Sequence, residues 1–149
     1  MFSKATEYAL RATIFIAQKS SVSNKLSIDQ IAKAIDSPPS FTAKILQSLS
    51  GEAGVMSSVR GPNGGFYMTS KAKKFPVRRI LKAMDEDSML EKCVLGLKKC
   101  SEATACPMHE QYKSIKQNLL RMFVHTTIEE LAQASEKGKV LLNFKSQSK

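Results

Sequence analysis

Residues 40–69 read SFTAKILQSLSGEAGVMSSVRGPNGGFYMT, and their reading decides the fold. The first half predicts a helix over 40–54, because Phe41, Ile45, Leu46 and Leu49 recur on one face at helical spacing and Gly54 can stop it. The second half predicts two short strands, Val55–Val59 and Phe66–Thr69. Between them, Gly61-Pro62-Asn63-Gly64-Gly65 is a strong turn signal, so the segment is a β-hairpin with Arg60 at its tip. Upstream, Asp36-Ser37-Pro38-Pro39-Ser40 cannot stay helical, since proline disfavours α geometry in the residue before it. It can still open the next helix. Before that turn, Ser27-Ile28-Asp29-Gln30 fits a capping box that starts a short helix, SIDQIAKAI. Helix, tight turn, helix and glycine-tipped hairpin make a winged helix-turn-helix.

Outward from this centre, residues 4–19 predict a helix with Tyr8, Ala9, Ala12 and Ile16 at helical spacing. On the C-terminal side, VRRILKAMDE predicts another helix, followed by an irregular loop over the cysteines. A long helix begins beyond Pro107, where Tyr112, Ile115, Leu119 and Met122 fall 3, 4 and 3 apart, the spacing of a coiled-coil seam. His125 near its end suits a C-cap role. Thr127-Ile128-Glu129-Glu130 is a second capping box, opening a short helix. The expected fold is mainly α with a small β-hairpin wing. Its expected organisation is a winged-helix DNA-binding domain over 1–80, a loop with dimerisation helices over 81–134, and a mobile basic tail over 135–149.

The formal charge is +10 and uneven. Residues 1–80 hold twelve Lys and Arg against four Asp and Glu, whereas residues 81–149 hold eleven against nine. A positive field concentrated on the helix-turn-helix half is the footprint of a nucleic-acid binder. A recognition helix enters the major groove by its N-terminal end, which here offers Ser40, Phe41, Thr42 and Lys44, with Gln47 one turn on. Hydroxyls can reach phosphates or bases, and Lys44 a phosphate or guanine. Arg60 on its glycine-rich hairpin, with Asn63 beside it, suits a narrow minor groove. Lys71, Lys73 and Lys74 can hold phosphates. The longest apolar run near the N-terminus, ALRATIFIA, is broken by Arg11 and is neither a signal peptide nor a membrane span. A cytoplasmic protein is expected.

All three cysteines, Cys93, Cys100 and Cys106, fall within fourteen residues, and His109 follows. An odd number of thiols inside a cell speaks against disulfides and for metal, redox chemistry or catalysis. Thiolates with an imidazole suit zinc or an iron–sulfur cluster. The intervening lengths are six, five and two residues, without the close pair a structural zinc site usually brings. Motifs of hydrolases, P-loop enzymes and zinc proteases are missing, so no enzyme is expected.

The chain resembles the IscR/NsrR-type bacterial winged-helix transcription regulators. SKATEYALRA, the recognition helix running into an R-G-x-x-G-G-[YF] wing, and the Cys…Cys…Cys…His loop ahead of a long helix carry the likeness over roughly residues 1–134. The resemblance implies a homodimer paired through the long C-terminal helix and bound to a palindromic operator in double-stranded DNA. It also implies a 2Fe-2S cluster held by Cys93, Cys100 and Cys106, with His109 as fourth ligand as in the IscR branch. Glu7 stands where the NsrR branch carries an acidic residue that donates a ligand across the dimer, so it competes with His109. This chain departs from the family in a longer spacing between Cys93 and Cys100, in Ala43 where IscR-like proteins can carry a glutamate, and in Phe41 where tyrosine is frequent. Two other readings stay open: a metal-free regulator switched by thiol oxidation, and a zinc-stabilised interaction module.

Overall fold

A computed structural model describes residues 1–99 and 101–135. The expected tail therefore lies, but for Ser135, outside the described residues, and so does Cys100. The described residues form α1 (Lys4–Lys19), α2 (Ile28–Ile35), α3 (Pro39–Ser50), β1 (Ser57–Val59), β2 (Gly65–Tyr67), α4 (Ser70–Lys73), α5 (Arg78–Ala83), α6 (His109–His125) and α7 (Ile128–Ala134). This is a mainly α winged helix-turn-helix with a long helix near its C-terminal end.

Local chemistry sets these boundaries. Ser3 caps α1 by accepting from the Thr6 N–H, and both expected capping boxes are present, Ser27 with Gln30 and Thr127 with Glu130. Asp36 ends α2 in the left-handed region at φ 55°, and Pro39 opens α3 at its first position. Helix α3 stops at Ser50, four residues short of the expected Gly54. The Val55 N–H reaches back to the Leu49 carbonyl at 3.1 Å, so the chain from Gly51 to Gly54 turns under the helix instead of prolonging it. Helix α5 likewise ends early, with Asp85 left-handed at φ 56°.

The wing is shorter than expected. Only Ser57–Tyr67, Ser58–Phe66 and Val59–Gly65 pair, in antiparallel register. Val55, Met56 and Met68 are buried instead in the core beneath it. The turn before α2 adds a third backbone strip: Leu26 and Phe66 exchange N–H to carbonyl bonds at 2.9 and 2.8 Å. That approach requires glycine at 65, where φ is +147° and a Cβ would stand 2.6 Å from the Leu26 carbonyl oxygen.

Helix α1 is the hub, packing on α2, α3, α5 and α7. Its Ala9, Ala12 and Ile16 join Ile31, Ile35, Leu46, Leu49, Ile80 and Leu81 in one buried cluster. The core does not stop at the wing: Ile128 and Ala132 of α7 are part of it. Helix α7 is pinned by backbone bonds between Val77 N–H and the Thr126 carbonyl (2.9 Å) and between Ile128 N–H and the Phe75 carbonyl (3.0 Å). Gln18 adds a bond to the Ala132 carbonyl at 3.0 Å. Helix α6 joins this body through its C-terminal end, where Phe123 is buried edge-on against Phe2 at 5.5 Å. Further up α6, Ile115 and Met122 are 59% and 52% exposed.

Candidate nucleic-acid interface and cysteine loop

Helix α3 presents an open N-terminus. No side chain caps it and no acidic residue sits in its first turn, so its free N–H groups and positive dipole end face outward to an anion. Ser40, Lys44 and Gln47 are exposed along it, as expected of groove-reading side chains. Ser48, not singled out in the sequence, is exposed beside Gln47. Thr42 requires a correction. It is fully buried, and its hydroxyl donates to the Pro38 carbonyl at 2.9 Å with the Ser37 hydroxyl 3.0 Å away. That hydroxyl closes the turn between the two helices and does not reach DNA. The Phe41 ring is half-buried, edge-on to Tyr8 at 5.7 Å, and joins α3 to α1.

Arg60 and Asn63 are exposed at the hairpin tip. Behind the wing, Lys25 lies 5.5 Å from the centre of the Tyr67 ring, a cation–π contact that fixes a further cation on the hairpin face. Lys71 and Lys74 are exposed and Lys73 half-buried around α4, a one-turn helix that Thr69 caps. Thr69 three residues ahead of Ala72 was the available signal for that turn.

The cysteine loop leaves the core after a 3-10 turn, Asp87–Leu90, anchored by the fully buried Leu90. Within the loop the usual placement is inverted. Cys93, Cys106 and His109 are 6%, 9% and 5% exposed. The aliphatic neighbours Val94, Leu95, Leu97 and Met108 are 43–52% exposed. His109 opens α6, and its N–H donates to the Cys106 carbonyl at 2.9 Å. Lys116 donates to the Glu91 carbonyl at 3.3 Å, and Lys113 pairs with Glu102, so two lysines one turn apart on α6 fasten both limbs of the loop. The Lys113 hydrogen bond and charge hold Glu102 below the ordinary carboxylate range and raise Lys113 in turn. Glu7 is exposed on the first turn of α1, 3.6 Å from the Lys4 ammonium. Among the described residues no three His, Cys, Asp or Glu side chains form a group placed to hold a metal ion. Cys100, the middle thiol, lies outside them. Among them, too, no helix is long and apolar enough to cross a membrane.

An uncapped recognition helix, a cationic hairpin and a shared core define a winged-helix DNA-binding protein. Residues 2–134 match the Rrf2 family, described as iron-dependent transcriptional regulators, and the chain belongs to that family. It is 32% identical over 139 residues to a candidate HTH-type transcriptional regulator of Aquifex aeolicus (strain VF5), covering 92% of this chain and 94% of the relative. It is 26% identical over 129 residues to the HTH-type transcriptional regulator IscR of Vibrio campbellii (strain ATCC BAA-1116), covering 87% and 75%. Its fold is shared with CymR (YrzC), the global cysteine regulator of B. subtilis, at a TM-score of 0.70 and 20% identity, over 90% of this chain and 97% of that one. The chain is thus a DNA-binding transcription regulator and not an enzyme.

Proposed function

We propose that this regulator acts in the cytoplasm as a homodimer on a palindromic operator, and that a 2Fe-2S cluster held by Cys93, Cys100, Cys106 and His109 controls its affinity for DNA. The inverted burial of the loop carries this reading. Thiols are often buried without a ligand, but this loop also buries the His109 imidazole while four aliphatic side chains face water. Thiolates and imidazole are the donor set of such clusters, so the residues present fit the group. When bound, it supplies a link that oxidants, nitric oxide or iron shortage can break.

The protein's own part is to hold the loop and read the operator. Lys113 and Lys116 fasten the loop to α6, and Phe123 fastens α6 to the body. The exposed stripe of Ile115 and Met122, with Tyr112 and Leu119 half-buried, is the face that a second copy would cover. A change in the loop alters DNA affinity to the extent that it favours one spacing of the two recognition helices over another. Ser40, Lys44 and Gln47 would then meet the major groove, and Arg60 and Asn63 the minor groove.

The test is an absorption spectrum with iron, sulfide and zinc assays on protein purified without oxygen. Visible charge-transfer bands with iron and sulfide in equal amounts are expected, and Cys106→Ala should abolish both colour and cluster-dependent DNA binding. Retention of both by that variant would refute the ligand assignment. Loss of colour in His109→Ala but not in Glu7→Ala would assign the fourth ligand to His109, and the reverse pattern to Glu7. A second reading is favoured by the likeness in fold to a cysteine regulator. It is a metal-free thiol switch, and predicts a colourless protein whose DNA binding depends on reductant. A colourless protein carrying zinc would favour the interaction module instead.

A further inference from the structure

A cleft of about 800 Å³ separates the C-terminal end of α3 from α5, within the range of roughly 300–1,000 Å³ of small-molecule sites. Arg78, Arg79 and Lys82 line it against a single carboxylate, Glu52. The three cations are not equally available. Arg78 gives its terminal nitrogen to Asp87 at 3.5 Å and Glu91 at 2.8 Å. Arg79 is held only at its root: Nε donates to the Ala53 carbonyl at 3.0 Å, and the guanidinium lies 4.1 Å from the centre of the Phe75 ring. Its two terminal nitrogens find no partner among the described residues, and neither does the Lys82 ammonium. A guanidinium fixed by its Nε and its plane, with its outer edge open, is a preset fork for a carboxylate or phosphate. Pro76, Ala83 and Val124 give the cleft an apolar wall.

One effect opposes an anion here. The C-terminal end of α3 carries partial negative charge. Two of its last carbonyls are already engaged, however: Gln47 accepts from the Gly51 N–H at 3.3 Å, and Leu49 from Val55 and Met56 at 3.1 and 3.4 Å. Against the partial charge that remains, the cleft sets two full cations and one exposed carboxylate.

We propose that this cleft binds a small organic acid, a carboxylate or phosphate head on a compact apolar body, with Arg79 and Lys82 taking the head. The occupant would join the end of the recognition helix to α5 and to Val124 at the end of α6. It would therefore give the regulator a second input, separate from the cysteine loop and independent of what that loop binds. Such a ligand shifts DNA affinity only as far as it prefers one arrangement of α3 and α6 over another.

The test is a ¹⁵N–¹H NMR titration of the full chain with sodium phosphate and, separately, sodium benzoate, at ionic strength held constant with chloride. Saturable shifts confined to Gln47–Ala53, Arg78–Ala83 and the neighbourhood of Val124 are expected. Saturation by benzoate alone identifies a carboxylate head, and by phosphate alone a phosphate head; either supports the site. Lys82→Glu, an exposed position, should weaken binding about tenfold or more by reversing one contacting charge. Arg79→Lys, which keeps the charge and loses the fork, should weaken it as well. The proposal is overturned if neither anion saturates, if Lys82→Glu binds as well as the parent chain, or if the shifts fall only on Ser40–Lys44 and Lys71–Lys74, the surface offered to DNA phosphates.

Discussion

Ile16, Ile31, Leu46 and Ile80 in the winged body are fully sealed from water, whereas Ile115 and Met122 on α6 are more than half exposed. The contrast runs through the whole molecule. In the body formed by α1–α5, the hairpin and α7, most apolar side chains are inside, and Lys44, Arg60 and Lys71 are outside. In the cysteine loop and α6, Val94, Leu95, Leu97, Met108, Ile115 and Met122 are outside while two thiols and an imidazole are inside. The body completes its own core from one chain. The loop and α6 leave an exposed apolar stripe and two buried thiols with an imidazole, which under the proposed function a second copy and a cluster would complete. Under the proposed function, the winged body would recognise DNA on a core of its own, and the loop with α6 would respond to conditions through what binds it.

The largest expected effects test that contrast directly. Leu46→Ala should cost about 2–5 kcal/mol of stability, the usual range for a sealed core leucine. Ile115→Ala should change the stability of a dilute monomer by no more than roughly 0.5 kcal/mol, and should instead weaken self-association in light scattering. If Ile115→Ala destabilised a dilute sample as much as Leu46→Ala, α6 would belong to the body after all. Next in size is Gly65→Ala, at about 1–3 kcal/mol for forcing a side chain into a disfavoured backbone region, with the Leu26 carbonyl in its way. Its DNA affinity should fall with its urea midpoint, because the wing and the turn before α2 share one set of hydrogen bonds. Arg60→Ala is smaller and cleaner. It should cost roughly tenfold in DNA affinity and flatten the salt dependence by about one unit of slope, with the thermal midpoint unmoved. An unchanged affinity would remove Arg60 from the interface.

Much of the body was legible in the sequence because its signals are local. Both capping boxes, the proline-opened recognition helix and the glycine-rich hairpin turn are decided within four or five residues, and all stand in the structure. The errors arose where distant contacts decide. Gly54 carries the left-handed stop expected of it, yet α3 ends at Ser50 because Leu49 captures two later N–H groups. Val55 and Met56 look like strand, but their side chains are consumed by the core. Thr42 lies one turn ahead of Ile45 and Leu46, hence on the apolar face, and that spacing was the signal that its hydroxyl points inward. The cysteine loop was legible as chemistry but not as geometry, since no periodicity fixes an irregular loop. Its attachment by Lys113 and Lys116 emerges only once α6 is placed beside it. The cleft at Arg79 had no sequence signal, for Ala53 and Phe75 meet that arginine only in the fold.

The smallest expected effect lies where the two regions meet. Glu86, just before the turn into the cysteine loop, accepts the Ser3 N–H on both carboxylate oxygens, at 3.2 and 3.1 Å, and so ties the start of α1 to the start of the loop. Burial pushes its pKa up, but bonds from the Ser3 hydroxyl and N–H, a bond from the Thr6 hydroxyl and the nearby amino terminus outweigh burial and hold it below 4.5. A carboxyl depressed on folding stabilises the native state above its unfolded value and loses that contribution as pH falls through its lower folded value. Glu86→Gln should therefore cost no more than about 1 kcal/mol at neutral pH, the scale of one partly exposed charged hydrogen bond. The gap from the parent chain should close as urea denaturation is repeated at acid pH well under 4.5. A gap that stayed constant into acid would mean that Glu86 acts through its shape and not its charge. The tie between the body and the cysteine loop would then be one of packing alone, indifferent to pH.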